Sequence, residues 1–133
     1  MIFVDTSFFV ALRNRRDRHH RAAAALLREH SESALVTTNL VRGETWTYLR
    51  RKAGHAAAVS FLDALARTPR LRLEHVVEAT EETALRWLRR HEEREYSFVD
   101  ATSFAVMRSM RIRSALAFDG DFAAAGFAEA RLD

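Results

Sequence analysis

Two acidic residues of this 133-residue chain stand directly after short apolar runs, a position that can bring carboxylates together. Asp5 follows the run Ile2-Phe3-Val4, and Asp119 follows residues 115–118. Each run is short and wholly apolar, which is typical of a strand buried in a parallel sheet. Because ligands bind beyond the carboxyl ends of such strands, we expect both carboxylates at one edge of the sheet.

Two further acids, Glu44 and Asp100, fall inside segments that are predicted to be helical. Each shares its predicted helix face with apolar or aromatic neighbours: Leu40 and Tyr48 for Glu44, and Phe104 and Met107 for Asp100. Both acids are therefore expected on buried faces. A buried carboxylate is costly unless it becomes neutral, pairs with a cation or binds a metal.

Carboxylates that converge in one place repel one another and raise each other's pKa, unless a divalent cation supplies the missing positive charge. Oxygen ligands suit Mg²⁺ or Mn²⁺ better than zinc. The chain has no cysteine, so a thiolate metal site and a cysteine nucleophile are both excluded. The four acids thus predict a site for Mg²⁺ or Mn²⁺.

Each acid also has an ordinary structural explanation. The alternatives are a helix cap for Asp5, a first-turn helix acid for Asp100, a turn for Asp119-Gly120, and an ion pair with Arg42 or Arg51 for Glu44. The metal hypothesis is preferred because the alternatives would all have to hold at once.

The rest of the sequence alternates between strand and helix patterns. Predicted strands cover residues 2–4, 34–37, 71–75 and 115–118, and predicted helices cover about 6–12, 19–30, 39–51, 55–66, 80–91 and 98–110, with a last short helix and strand in 122–132. The expected helix caps are Thr6 or Ser7, Thr38 or Asn39, Thr80 and Ser97. This alternation predicts an α/β fold, a three-layer α/β/α arrangement with a mainly parallel sheet. No linker or repeat interrupts it, so we expect one domain over residues 1–133.

The charge balance is basic, with 21 Lys and Arg against 18 Asp and Glu, and Lys52 is the only lysine. Arginine is a good bidentate partner for phosphate, which is compatible with nucleic-acid binding. The sequence shows no secretory signal and no apolar run long enough to span a bilayer, so a cytoplasmic protein without a membrane role is expected.

Several basic and aromatic residues could serve an RNA substrate, although a solvated surface explains them equally well. Two arginine clusters could line an RNA path: Arg13, Arg15, Arg16 and Arg18, and then Arg108, Arg111 and Arg113. His19 and His20 are expected at the surface. The larger aromatic residues are expected in the core or at an interface rather than as base-stacking platforms, namely Trp46, Tyr48 and Trp87.

Four sequence blocks, in order, resemble those of PIN domains. They are Ile2-Phe3-Val4-Asp5-Thr6-Ser7, Val41-Arg42-Gly43-Glu44-Thr45, Tyr96-Ser97-Phe98-Val99-Asp100-Ala101, and Ala117-Phe118-Asp119-Gly120-Asp121-Phe122 followed by Gly126-Phe127. The resemblance covers essentially the whole chain. Within that family, the short length of the chain and the spacing of its blocks are similar to those of the toxin component of VapBC-type toxin–antitoxin pairs.

The resemblance implies an endoribonuclease that depends on Mg²⁺ or Mn²⁺ and hydrolyses tRNA or rRNA. Carried over by position, the catalytic and metal-binding acids would be Asp5, Glu44, Asp100 and Asp119. Asp121 stands close enough to join them as a metal ligand, although a turn or surface role explains it as well. Thr6 and Ser7 could hold a metal-bound water or a phosphate oxygen, or could cap the helix.

The same resemblance implies two protein partners, a cognate antitoxin that covers the acidic cleft and a second copy of the chain in a homodimer. The antitoxin would place a basic side chain among the carboxylates. The alternative is a catalytically inert module of the same fold that binds RNA or protein. A haloacid-dehalogenase-like phosphatase is disfavoured, because Asp5 is not part of an Asp-x-Asp motif. A receiver domain is disfavoured, because the only lysine, Lys52, does not follow a late strand.

Overall fold

The computed structural model describes residues 1–132 and contains a five-stranded parallel sheet between helices. The strands are β1 (Ile2–Val4), β2 (Leu35–Thr38), β3 (Leu71–Glu74), β4 (Ser114–Leu116) and β5 (Ala128–Glu129). The helices are α1 (Thr6–Arg13), α2 (His20–Glu29), α3 (Asn39–Lys52), α4 (His55–Ala66), α5 (Glu78–Arg90), α6 (Phe98–Ser109) and α7 (Asp121–Ala124). The predicted three-layer α/β/α fold with a parallel sheet is confirmed.

The order of strands in the sheet, β3-β2-β1-β4-β5, places β1 at the centre. Phe3 of β1 lies opposite Val36 of β2 on one side and Ala115 of β4 on the other. The chain leaves β1 toward β2 and β3, and only later adds β4 and β5 on the other side. The order therefore reverses between β1 and β4, and in parallel sheets this is where a binding crevice forms.

An aromatic cluster packs α5, α6 and α7 together, with Phe127 just before β5. The Phe104 ring of α6 has its centroid 5.2 Å from that of Trp87, 5.0 Å from that of Phe122 and 5.5 Å from that of Phe127. Buried aromatic rings contribute a large apolar area each and stabilise one another further in such tilted arrangements. The cluster fixes α6 against the loop that follows β4, and both carry acidic residues.

The boundaries of three elements differ from the sequence-based expectation. Strand β4 ends at Leu116, so Asp119 follows it after two further residues rather than directly. Helix α5 starts at Glu78, and its N-cap Val77 makes no side-chain capping bond, so the predicted cap at Thr80 is wrong. Helix α1 is capped by Asp5, and neither Thr6 nor Ser7 is its cap. None of the helices within residues 1–132 has the length and apolar character to cross a membrane.

Candidate active site

Asp5 is buried at the carboxyl end of β1, where its side chain also caps α1. Its Oδ2 accepts hydrogen bonds from the backbone N–H of Ser7 at 3.1 Å and from the Ser7 hydroxyl at 2.7 Å, and the residue is 2% exposed. The Ser7 hydroxyl oxygen in turn accepts from the backbone N–H of Phe118 at 3.0 Å. Ser7 thus links the ends of β1 and the β4 loop and holds the Asp5 carboxylate in place.

Asp100 lies in the first turn of α6 and is fixed by a capping box. Its Oδ2 accepts from the backbone N–H of Ser97 at 2.9 Å, while the Ser97 hydroxyl accepts from the backbone N–H of Asp100 at 2.9 Å. The predicted cap at Ser97 and the predicted burial of Asp100 are both confirmed. This geometry leaves one carboxylate oxygen of Asp100 outside the capping box.

Asp119 and Asp121 lie on the loop between β4 and α7, beside Asp100. One carboxylate oxygen from each of Asp100, Asp119 and Asp121 can be chosen so that all three lie within 4.8 Å of one another. Gly120, with φ +81°, allows the tight turn between the two loop acids, and Asp119 Oδ1 accepts from the Asp121 backbone N–H at 3.1 Å. Such spacing suits a shared divalent cation.

Arg94 is the cation that contacts this group of acids. Its Nε donates to Asp121 Oδ1 at 2.6 Å, and its Nη2 donates to the backbone oxygen of Asp119 at 3.1 Å. Sequence reasoning missed Arg94 because 25 or more residues separate it from these partners. No local spacing pattern could have identified it.

Glu44 lines the same cleft from α3, but its surroundings differ from the sequence-based expectation. The residue is exposed, as is Tyr48 one turn further along the helix, so its predicted position on a buried face is wrong. The buried face of α3 is formed instead by Val41, Thr45 and Leu49. Glu44 pairs with neither Arg42 nor Arg51, and it stands outside the group formed by Asp100, Asp119 and Asp121.

Burial and mutual repulsion raise the pKa values of Asp5, Asp100 and Asp119. The pKa of Asp5 rises to about 8, mainly through burial and then through the negative charge of Asp119, against the two Ser7 hydrogen bonds. Burial raises the pKa of Asp100 to about 7, with the charges of Asp121 and Asp119 adding to the effect. The pKa of Asp119 is also raised, first by burial and then by the charge of Asp121. The site therefore has a deficit of positive charge.

The cleft that contains the acids has a volume of about 560 Å³. Arg18, His19 and Tyr48 also line this cleft. His19 is partly buried rather than fully at the surface, because its ring stacks on Phe118 with a centroid separation of 4.5 Å. Thr6 also lines this cleft, and its hydroxyl is buried without a hydrogen-bond partner among the described residues.

Comparison with known proteins identifies the family of the chain that carries this acidic cleft. A family profile described as "PIN domain" matches residues 2–128. The chain belongs to the PIN-domain family. Two curated PIN-family relatives, both named 23S rRNA-specific endonuclease VapC20, come from Mycobacterium tuberculosis strains CDC 1551 / Oshkosh and ATCC 25618 / H37Rv. Each is 55% identical over 131 residues, covering 98% of both chains.

A solved PIN structure is also similar over nearly the full length. It is the crystal structure of M. tuberculosis VapC20, described as a sarcin–ricin-loop-cleaving toxin. The TM-score is 0.92 at 54% sequence identity, covering 99% of this chain and 100% of the other. The predicted PIN family and the predicted similarity to toxins of VapBC-type pairs are both confirmed.

The donor set of this PIN domain fits a hard divalent cation. Every donor in the close group is a carboxylate oxygen, which Mg²⁺ and Mn²⁺ prefer over nitrogen or sulfur. Burial, together with the negative charges of neighbouring acids, raises the pKa values of both Asp5 and Asp100. A cation held there would favour the ionised form of both acids.

Proposed function

We propose that the acidic cleft is the active site of an endoribonuclease that hydrolyses ribosomal RNA with bound Mg²⁺ or Mn²⁺. The observation that carries the proposal is the convergence of Asp100, Asp119 and Asp121 at the sheet edge where Asp5 ends β1. Family membership and similarity to a 23S rRNA-specific endonuclease support the reaction class.

Asp5, Asp100 and Asp119 are the proposed catalytic and primary metal-binding residues. Asp121 joins them once its carboxylate is released from Arg94, and Glu44 acts from the exposed rim of the cleft, where water screens its charge. A bound divalent cation would lower the pKa of a coordinated water and stabilise the charge that develops on the phosphate. Ser7 and Ser97 position the acids through the hydrogen bonds described above.

The substrate is proposed to be the sarcin–ricin loop of 23S rRNA, because the solved relative is described as cleaving that loop. Arg18 and His19, which line the same cleft, offer a phosphate partner and a stacking surface. A tRNA substrate is the alternative.

The biological role proposed is that of the toxin in a type II toxin–antitoxin pair, acting in the cytoplasm. The antitoxin would insert a basic side chain among the carboxylates, in the way that Arg94 already contacts Asp121. We also propose a homodimer. Gel filtration at high protein concentration should give a dimer, and elution only as a monomer would contradict it.

The activity is tested with a labelled sarcin–ricin hairpin and a labelled tRNA, each in Mg²⁺, in Mn²⁺ and in EDTA. We expect the hairpin to be cleaved only with a metal, and cleavage to be lost in Asp100→Asn and Asp119→Asn. Asp63→Asn is the matched control, because Asp63 is exposed on α4, away from the acids.

Three results would count against the activity. Cleavage in EDTA, or equal cleavage by the Asp100→Asn variant, would identify a contaminating ribonuclease. Binding of the hairpin without cleavage in any metal would favour the catalytically inert module instead. Cleavage of tRNA alone would correct the substrate and keep the chemistry.

A further inference from the structure

A second cleft, separate from the acids, lies between α5, α6 and α7. Its volume is also about 560 Å³. Three arginines line it, Arg86 and Arg90 from α5 and Arg108 from α6, and we call it the arginine groove. Arg86 and Arg90 are four residues apart on one helix, so their side chains leave the same face of α5.

None of these arginines forms an ion pair within residues 1–132. Arg86 donates only to the Thr83 hydroxyl at 3.2 Å, and Arg108 only to the backbone oxygen of Ala125 at 3.4 Å. The acidic residue in the groove wall, Glu93, pairs with His91 instead. Three positive charges thus face one cleft with a single carboxylate, Glu93, so the groove keeps an excess of positive charge, which favours an anionic ligand.

Aromatic rings form the floor of the groove. The Arg108 guanidinium lies 5.6 Å from the Trp87 ring centroid and 5.1 Å from that of Phe127. His91 stacks on Trp87 at 4.1 Å between centroids. Because Arg108 covers these rings, an apolar helix of a protein partner would have to displace it. Arginine over aromatic rings instead suits phosphates and stacked bases.

The arginine groove lies next to the acidic cleft, and two helices contribute residues to both neighbourhoods. Asp100 lies on α6 one turn before Ala105, and Asp100 is followed directly by Ala101, which lines the groove. Asp121 begins α7, whose other end at Ala124 also lines the groove. At about 1.5 Å per helical residue, groove and acids are separated by only about 5 to 8 Å along these helices.

We propose that the arginine groove binds the phosphodiester backbone of the RNA beside the cleavage site. Arg86 and Arg90 contact successive phosphates, and Arg108 with Trp87 supports a stacked base or the phosphate next to it. This inference rests on the proposed ribonuclease function, because it names where the substrate strand lies when its scissile phosphate reaches the acids.

The test measures binding of a fluorescein-labelled sarcin–ricin hairpin in EDTA, by anisotropy at several salt concentrations. Each phosphate contact contributes about 0.7 to 0.9 to the slope of log Kd against log salt. Arg86→Gln/Arg90→Gln should therefore lower that slope by about 1.4 to 1.8. Both residues are exposed, and an unchanged thermal melt would show that the fold is retained.

The matched control is Arg28→Gln/Arg89→Gln, which removes the same charge from exposed residues outside both clefts. For this control, the slope of log Kd against log salt should change by less than half of the change seen for Arg86→Gln/Arg90→Gln. Equal slopes for the two double variants would overturn the groove, as would a wild-type protein that does not bind the hairpin. A groove used by a protein partner would also leave the RNA slope unchanged.

Cleavage of the same hairpin, assayed separately, distinguishes this inference from the ribonuclease itself. Binding that depends on Arg86 and Arg90 without any cleavage would keep the groove and refute the nuclease. Cleavage with equal slopes would keep the nuclease and refute the groove. If both hold, Arg86→Gln/Arg90→Gln should raise KM and leave kcat nearly unchanged.

A second readout is the fluorescence of Trp87, which lines the groove. The chain has two tryptophans, so Trp46→Phe leaves Trp87 as the only one. Titration with the unlabelled hairpin in EDTA should shift or quench Trp87 emission. Emission that stays constant while the hairpin binds would contradict the groove.

Discussion

Arg94 and a metal ion compete for the same carboxylate. Its Nε pairs with Asp121, and both side chains are partly exposed. A partly exposed pair of this kind contributes about 0.2 to 1 kcal/mol, so its removal has a modest effect. The positive charge also repels any cation held by the three acids.

We therefore expect Arg94→Gln to tighten Mg²⁺ binding by about two- to fivefold, because 1.4 kcal/mol corresponds to a factor of ten. Isothermal titration calorimetry measures the change. Arg72→Gln is the control, since Arg72 pairs with Glu74 on β3, away from the acids. Weaker binding in Arg94→Gln would instead show that Arg94 holds Asp121 in the binding position.

Glu44 and Asp100 should differ strongly in their importance for metal binding. Asp100 is 7% exposed and belongs to the close group of acids, whereas Glu44 is exposed on α3. We expect Asp100→Asn to abolish Mg²⁺ binding in calorimetry. Glu44→Gln should weaken Mg²⁺ binding by less than about tenfold, which is the smallest loss usual for residues that only support the metal ligands. Equal losses would mean that the cleft closes over Glu44 when it binds the metal.

At the residue scale, the position of Asp5 at the end of β1 and the burial of Asp100 were predictable, because Asp5 follows an apolar run and Asp100 interrupts an apolar helix face. Glu44 was placed on the wrong face, since Leu40 and Tyr48 are themselves less buried than their type suggests. For Asp121 the sequence left a turn or surface role as an equal alternative, because its proximity to Asp100 depends on a turn at Gly120 and on how α6 packs. Those are tertiary contacts between distant segments, and local spacing does not contain them.

At the scale of the element, the start of α6 serves both the fold and the cleft. The capping box between Ser97 and Asp100 satisfies two backbone N–H groups that the helix leaves without partners. It also sets the direction of the Asp100 carboxylate.

Ser97→Ala should lower the free energy of unfolding by about 1 kcal/mol, the usual cost of removing a hydroxyl cap. Urea denaturation measures it. Ser109→Ala, an exposed position at the other end of α6, should change stability by less than about 0.5 kcal/mol. If the two variants are equally stable, the Ser97 hydroxyl does not act as a cap in solution.

The order and type of the elements were predictable, because alternating apolar strands and amphipathic helices leave few arrangements. Their ends were less so. Residues 117 and 118 continue the apolar run of β4, yet the Phe118 N–H bonds to Ser7 rather than to a neighbouring strand. Thr6 or Ser7 was the expected cap of α1, and a cap at Asp5 was the alternative; the alternative is correct, because the carboxylate of Asp5 caps the helix.

At the scale of the whole molecule, the buried acids couple stability to pH when no metal is bound. Asp5 has a pKa of about 8 when folded and 3.8 as a model value for the unfolded chain, so the folded state binds this proton more tightly. The stabilising effect is complete below about pH 4 and is lost as pH rises through about 8. Asp100, with a pKa of about 7, acts in the same direction.

In EDTA, we therefore expect the melting temperature to be at least about 4 °C lower at pH 8 than at pH 6, which corresponds to roughly 1 kcal/mol for a chain of this size. Differential scanning fluorimetry measures it. Mg²⁺ at pH 8 should restore the loss, because a ligand of the folded state stabilises it. Asp5→Asn should show a smaller pH effect, and an undiminished effect in that variant would exclude Asp5 as its source.

Asp5 directly follows β1 and caps α1, so the substitution chosen to inactivate the protein at this position also affects its stability. Alanine at this position would remove the capping acceptor at a cost of about 0.5 to 2 kcal/mol, and the cell would then degrade part of the pool. Asparagine is as good a cap as aspartate and carries no charge. Under the proposed toxin function, Asp5→Asn is therefore the variant that we expect to lose cleavage while it still binds the antitoxin, and Asp5→Ala would confuse lost catalysis with lost abundance.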